Sequence, residues 1–579
     1  MGRFNLLDEK WIPVVVDDKG RRELVSLLDV FKEAPNYRSL AGDMATQDFA
    51  VFRLLLAVLH TVFSRVDAQG EVYEWLDLDE AGIPAEPVDE DEAEDYREAL
   101  YDTWTDLWEA KHFGDAVTDY LNRWRERFYL FDEDYPFFQV RREDVDPKNL
   151  NKSKGSVISG KNINRLISES GNKTVLFSPK YDSGKNKERL TDDEIARWLI
   201  CYQGYSGLAD KVIFGKDKYA ASASKGWLFD LGGLYVEGDN LFESLMLNLI
   251  LVRPDQPDAF TVQRPCWEFA PNDLLRRYLS SKDTPRIIDN LAELYTLWSR
   301  AIYIDPAISG EDPFAFEIVK LPDTAHVDHF IEPMTLWRYN ASGDNKGRYT
   351  LRKHREEESL WRSFGLLSGA GENERSPGIV QWLRSDEVMA ATHNHRYRLV
   401  AVTMESDGNA TSWVPVNEVV DHLIFHERLL TDTGERGWDR RINDTVEKTN
   451  DVVKNVFGRF MYEVKAIRNL SDAGFTAREV AQLYYALDEP FRRWLQAIDP
   501  EDDQDAVIRL WYEELRTIVK AHADAFVAQA GPRDFTGRIV SKSASGEEKG
   551  VFKNIATAYE SFLFFLNRAL PKEKEETHG

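Results

Sequence analysis

The apolar positions along the chain change period twice. Residues 4–31, FNLLDEKWIPVVVDDKGRRELVSLLDVF, carry an apolar run ending in Val14, Val15 and Val16, then Asp17-Asp18-Lys19-Gly20, then a second apolar run. β-Branched residues followed by turn chemistry predict a strand, a turn and a second short element. Ala45–Val66 reads as a long helix, with Thr46 as its N-cap. Its Phe49–Phe63 stretch is the most apolar of the chain, interrupted by Arg53 and His60. It falls short of the roughly 20 residues of a membrane span, so it predicts a buried core helix. Asp89–Asp95, DEDEAED, predicts a solvated loop or helix start and lacks calcium-loop spacing. Thr335–Arg355 predicts a hairpin turning near Gly343–Gly347, and short strands and loops alternate up to Trp413. From about Val416 the period becomes helical. Segments 416–430, 451–467, 477–498, 505–530 and 552–570 place apolar residues at i, i+3, i+4, i+7. The pattern predicts an antiparallel four-helix bundle with a leading helix. The fold class expected is α+β: a large mixed α/β domain over 1–415, then an all-α four-helix bundle over 416–579.

Composition adds limits. With 43% hydrophobic and 12% aromatic residues among 579, the chain can build a large core, which excludes a mainly disordered protein. Its net charge of −27 repels phosphate at long range, so any nucleic-acid site must be a local basic patch. Two cysteines, Cys201 and Cys266, allow neither a disulfide framework nor a four-cysteine zinc site. Asp8, Glu9 and Lys10 precede any long apolar run, unlike a signal peptide, and the expected location is cytoplasmic. Basic patches do exist. Residues 148–189 hold ten Lys or Arg against three Asp or Glu and are rich in Gly, Ser and Asn. This predicts a long functional or disordered loop. Lys211, Lys216, Lys218 and Lys225 surround Gly215 and the small residues Ala220–Ser224, and Lys346, Arg348, Arg352, Lys353 and Arg355 decorate the predicted hairpin.

Catalytic motifs fail one by one. Gly155–Lys161 spells GxxxxGK, but Asn162 replaces the magnesium-binding hydroxyl and no apolar strand precedes it. His393-Asn394-His395 leads into a strand-like run, which would set both histidines on one face. His326, Asp328, His329 and Glu332 are the best metal-like set, yet they lie in a Pro-flanked loop without HExxH spacing. No GxSxG elbow occurs. Trp298 reads as core.

Residues 4–31 strongly resemble the N-terminus of the Cascade large subunit family, CasA, of type I-E CRISPR systems. Tyr135-Pro-Phe-Phe-Gln139 looks like the family's xPFxQ segment, and Leu176–Pro179 sits where the family has an apolar motif inside a long basic loop. The helix-like Gly238–Leu251 stretch and Tyr295–Arg300 are similar to further family segments, and a helical C-terminus completes the match. The resemblance implies a non-enzymatic subunit of an RNA-guided surveillance complex, with no cofactor and no metal. Its partners would be the other Cascade subunits, the guide RNA, double-stranded target DNA and the helicase-nuclease that it recruits. It implies protospacer-adjacent motif (PAM) recognition and the start of strand separation, or R-loop formation. Carried over, Leu176, Phe177 and Ser178 mark the guide-RNA loop. Gly215, Lys216, Lys218, Ala221, Ser222 and Lys225 mark the PAM loop, in which lysines and small residues replace a run of glycines. Lys320 marks the PAM-sensing lysine finger. Gly408, Asn409 and Ala410 mark the strand-separating wedge, where the family's Asn-Gln pair has become Asn-Ala; alanine is too small to stack well on an opened base step. Two rival readings are a scaffold subunit without DNA readout and a metal-dependent nuclease on the histidine sets.

Overall fold

This computed structural model describes residues 2–159, 189–207, 212–219, 225–371, 373–406, 415–544 and 547–571. The chain divides into two compact units. The first comprises Met1–Glu356, Gly371–His393 and Tyr397–His422; the second comprises Glu357–Ala370, Asn394–Arg396 and Leu423–Gly579. Two short excursions thus belong with the C-terminal unit, which a reading as consecutive domains over 1–415 and 416–579 does not include. Their membership depends on long-range packing that no local pattern encodes.

The first unit mixes helices with small sheets. Ile12–Val15 pairs antiparallel with Arg22–Val25 across the predicted turn, and Ser39–Leu40 pairs on its other side. The helix Ala45–Phe63 forms the centre of this unit, with nearly all its residues buried. A helix apolar on every face belongs inside a large core rather than on a surface. Its start differs from expectation. Met44 occupies the N-cap without a side-chain bond, and Thr46 lies inside the first turn. The Thr46 N–H and hydroxyl both donate to Glu418 Oε1, at 2.7 and 2.6 Å. The preceding turn is closed by Asp48, which accepts from Gly42 N–H at 2.7 Å, and by Gln47, which accepts from Asp43 N–H at 3.0 Å. A distant acceptor for Thr46 is invisible in a local capping pattern.

Both polar residues read within the apolar stretch have structural tasks. Arg53 makes a two-pronged ion pair with Glu332, at 2.8 and 2.9 Å, with both side chains almost wholly buried. His60 is buried too, and desolvation, followed by the Arg53 charge, drives its pKa down to about 3. Trp298 is in the core as expected.

Three strands, Ser156–Ser159, Ala315–Lys320 and Arg300–Tyr303, form an antiparallel sheet with Ala315–Lys320 in the middle. The predicted basic hairpin forms, with Leu336–Tyr339 against Tyr349–Arg352 and positive φ at Gly343 and Gly347. A further three-stranded sheet orders Pro415–His426, Arg396–Ser406 and Gly233–Glu237. This corrects the helix predicted over 416–430: only Arg428–Thr431 is helical. Val416, Val419 and Val420 are β-branched, and the neighbouring Arg396–Ser406 strand supplies backbone partners that outweigh the helical spacing.

Among the described residues the second unit holds four long helical stretches. The first runs without a break from Trp438 to Arg468, through a π-helical turn at Val452–Phe457. Phe475–Ala497, Gln504–Ala528 and Ile555–Ala569 follow. Trp361 stacks on Phe491 at 4.2 Å between ring centroids, and Trp511 meets Phe491 edge-on at 4.9 Å. Trp511 Nε1 also donates to Thr449 Oγ1 at 2.9 Å, so the buried indole is satisfied. The unit is not purely helical. Arg538–Ala544 and Glu547–Lys553 form a hairpin between the last two helices. Helical periodicity in the flanking segments masks this short ribbon.

Candidate nucleic-acid interface

Val212, Ile213 and Phe214 are apolar and partly β-branched, and their short extended run is gripped from both sides. On one side Gly215 N–H donates to Asn149 O at 2.8 Å, and Asn151 N–H donates to Ile213 O at 3.1 Å. On the other, Lys320 N–H donates to Val212 O at 2.9 Å. The chain then turns at Gly215, whose φ of +80° is costly for any residue with a Cβ. Gly215, Lys216, Asp217 and Lys218 are all exposed. Tyr219 closes the turn: its hydroxyl accepts from Phe214 N–H at 2.9 Å and donates to Lys320 O at 3.0 Å.

The stretch leaves through a tight neck. Gly226 N–H donates to Ser206 O at 2.8 Å, and a Cβ on Gly226 would lie 2.2 Å from Gly204 O. Arg300 donates to Gly207 O on the entry side. Immediately after Gly226, Trp227 Nε1 donates to Glu332 Oε2 at 2.6 Å. The neck is therefore anchored to the buried Arg53–Glu332 pair.

The predicted residues divide as follows. Gly215, Lys216 and Lys218 share the exposed turn, and Lys225 sits half-buried beside the neck. Lys320 is only 6% exposed. Its backbone ties down the turn, while its burial opposes service as a lysine finger. Sequence spacing cannot separate a buried strand-end lysine from an exposed one. Lys282, which the sequence reading did not single out, stands beside the turn. Its amine donates to Phe214 O at 3.4 Å and lies 5.6 Å from the Tyr219 ring centroid. It also lies 3.6 Å from where a Gly215 Cβ would be. Its only sequence signal is a lone lysine in SSKDTPR.

Lys152 and Lys154 are exposed at the root of the basic stretch, as is Lys148, which pairs with Asp146 at 2.8 Å. That lysine's side chain and N–H hold the Asp146 carboxyl below its usual range. Leu176, Phe177, Ser178, Ala221, Ser222, Gly408, Asn409 and Ala410 lie outside the described residues. The two long strands that flank the last three, Arg396–Ser406 and Pro415–His426, are neighbours in one sheet.

The metal-like sets are not assembled. Glu332 is committed to Arg53, Trp227 and the Met334 N–H. Asp328 instead accepts from Tyr349 N–H at 2.7 Å. His393 and His395 precede the strand that begins at Arg396, and Asn394 between them has φ +62°, so no shared strand face exists. Among the described residues no group of three His, Cys, Asp or Glu side chains is arranged to hold a metal ion.

A mixed α/β unit with a largely helical C-terminal unit is a fold shared with CRISPR-associated proteins. The chain matches the crystal structure of Thermobifida fusca Cse1 with a TM-score of 0.72, at 26% identity over 98% of each chain. It also matches a chain of a CRISPR RNA-guided surveillance complex, with a TM-score of 0.60 and 15% identity over 98% of this chain and 100% of that one; this shows a shared fold. CRISPR-associated protein CasA/Cse1 of Thermus thermophilus is 28% identical over 372 residues, which span 63% of this chain and 60% of that relative. The family model described as CRISPR-associated protein Cse1 matches residues 5–521, and the chain belongs to that family.

Proposed function

We propose that this chain serves as the non-catalytic large subunit of an RNA-guided Cascade complex, reading the PAM in duplex DNA, starting strand separation and recruiting the helicase-nuclease. The observation that carries this reading is the exposed Gly215–Lys218 turn, with the Lys282 amine beside it, on a chain of net charge −27. A glycine turn lets backbone approach a groove closely, and lysines beside it contact phosphates. An acidic body limits non-specific attachment along the genome. Lys282 fits the DNA-facing lysine role better than the buried Lys320. The guide-RNA role belongs to the 148–189 stretch with Leu176, Phe177 and Ser178, and the wedge role to Gly408, Asn409 and Ala410. Base pairing carries the target sequence, so no catalytic group is required of this subunit.

The test is target binding by reconstituted Cascade, with and without this chain, on matched duplexes that differ only in the PAM. The expected result is tighter binding for a subset of PAMs; several are accepted, because the minor groove is a degenerate code. Lys216→Glu with Lys218→Glu weakens that binding and lowers the salt slope by about 1 for each phosphate no longer neutralised. Equal tightening for every PAM would make the chain a scaffold or a general clamp instead.

A further inference from the structure

The roots of the two basic stretches are tied together. Asn151 brackets Ile213: its N–H donates to Ile213 O, and its Oδ1 accepts from Ile213 N–H, both at 3.1 Å. Leu150 and Phe214 face each other in an antiparallel bridge. On the far side, the Tyr219 hydroxyl links the Phe214 N–H to the Lys320 carbonyl. Each of these side chains bonds to the backbone of the Gly215 turn or its support.

We infer that Asn151 and Tyr219 are positioning residues that weld the root of the 148–189 stretch to the Gly215 turn, so that RNA held by one and duplex DNA held by the other are kept in fixed register. This rests on the nucleic-acid reading given above. A group that sets the turn's position acts on the difference between right and wrong PAMs. A group that merely fills space acts on both alike. The weld also links the two ligands: if duplex binding steadies the turn, it strengthens the chain's hold on the RNA-bearing core, and the reverse holds by the same factor.

The experiment uses reconstituted Cascade carrying Tyr219→Phe, Asn151→Leu or Asn151→Asp. Affinities are measured for duplexes with the preferred and a scrambled PAM, along with the thermal midpoint of the chain. Asn151→Leu, which loses its one side-chain bond to Ile213, and Tyr219→Phe, which loses two, are each expected to lower the preferred-to-scrambled ratio about tenfold. The scrambled-PAM affinity stays near wild type, and the midpoint falls by no more than a few degrees, the effect of leaving one backbone N–H unpaired. Asn151→Asp keeps an acceptor for Ile213 N–H and retains most of the ratio. Retention of the chain on the RNA-bearing core, with and without preferred-PAM duplex, reads the link: duplex strengthens retention in wild type and not in Asn151→Leu. An unchanged ratio in both Tyr219→Phe and Asn151→Leu overturns the positioning role, and duplex-strengthened retention in Asn151→Leu overturns the weld. A wild-type complex without PAM discrimination overturns the underlying reading itself.

Discussion

Glu332→Ala is expected to be among the most damaging single changes in the first unit. Glu332 accepts from both Arg53 guanidinium nitrogens, from Trp227 Nε1 at 2.6 Å and from Met334 N–H at 3.0 Å. Its side chain is 0% exposed and that of Arg53 is 2% exposed. Truncation leaves a buried guanidinium without its counter-charge, at about 3–5 kcal/mol. It also strands two N–H donors, each costing about 1–3 kcal/mol. The double variant Arg53→Met with Glu332→Leu removes both charges. An apolar pair of similar volume is near neutral against a buried ion pair, so the double variant retains mainly the cost of the two stranded donors. The double-mutant cycle is therefore expected to give a coupling of at least about 2 kcal/mol, measured by urea unfolding of Arg53→Met, Glu332→Leu and the double. Additivity within about 0.5 kcal/mol would refute the reasoning, because it would mean that neither charge depends on the other. Trp227 directly follows the neck at Gly226, so Glu332→Ala also loosens the base of the lysine turn.

Two titrations have opposite signs. His60 stays neutral in the fold down to about pH 3, whereas the unfolded chain binds the proton near pH 6.5. Its contribution to stability is thus lost as pH falls from about 6.5 toward 3, and His60→Gln flattens that slope in pH-dependent urea melts. Burial pushes the Asp48 carboxyl up to about 7, so its contribution is full below the unfolded value and is lost as pH rises through about 7. Asp48→Asn, which keeps an acceptor for Gly42 N–H, is expected to remove that decline. Gly226→Ala forces a Cβ to 2.2 Å from a backbone oxygen and is expected to cost at least about 1–3 kcal/mol, read as a drop in thermal midpoint. Trp361→Ala, which empties the stack on Phe491, costs about 3–5 kcal/mol in the second unit, read by urea melts.

Much of this protein is written locally. The turn at Asp17–Gly20, the core helix at Ala45–Phe63, the hairpin around Gly343–Gly347 and the C-terminal helices follow from periodicity, β-branching and glycine placement, all acting within a few residues. The two basic stretches are equally plain, since charge is read directly from the chain. Only tertiary structure decided the rest. Residues 416–426 are a strand because a neighbouring strand satisfies their backbone. Lys320 is buried and Lys282 faces the Gly215 turn because elements far apart in sequence converge there. Glu332 leaves the metal-like set because its partner, Arg53, lies 279 residues earlier. Exposure, charge pairing and the company a side chain keeps are long-range properties, and local spacing carries no information about which distant segment will arrive to supply them.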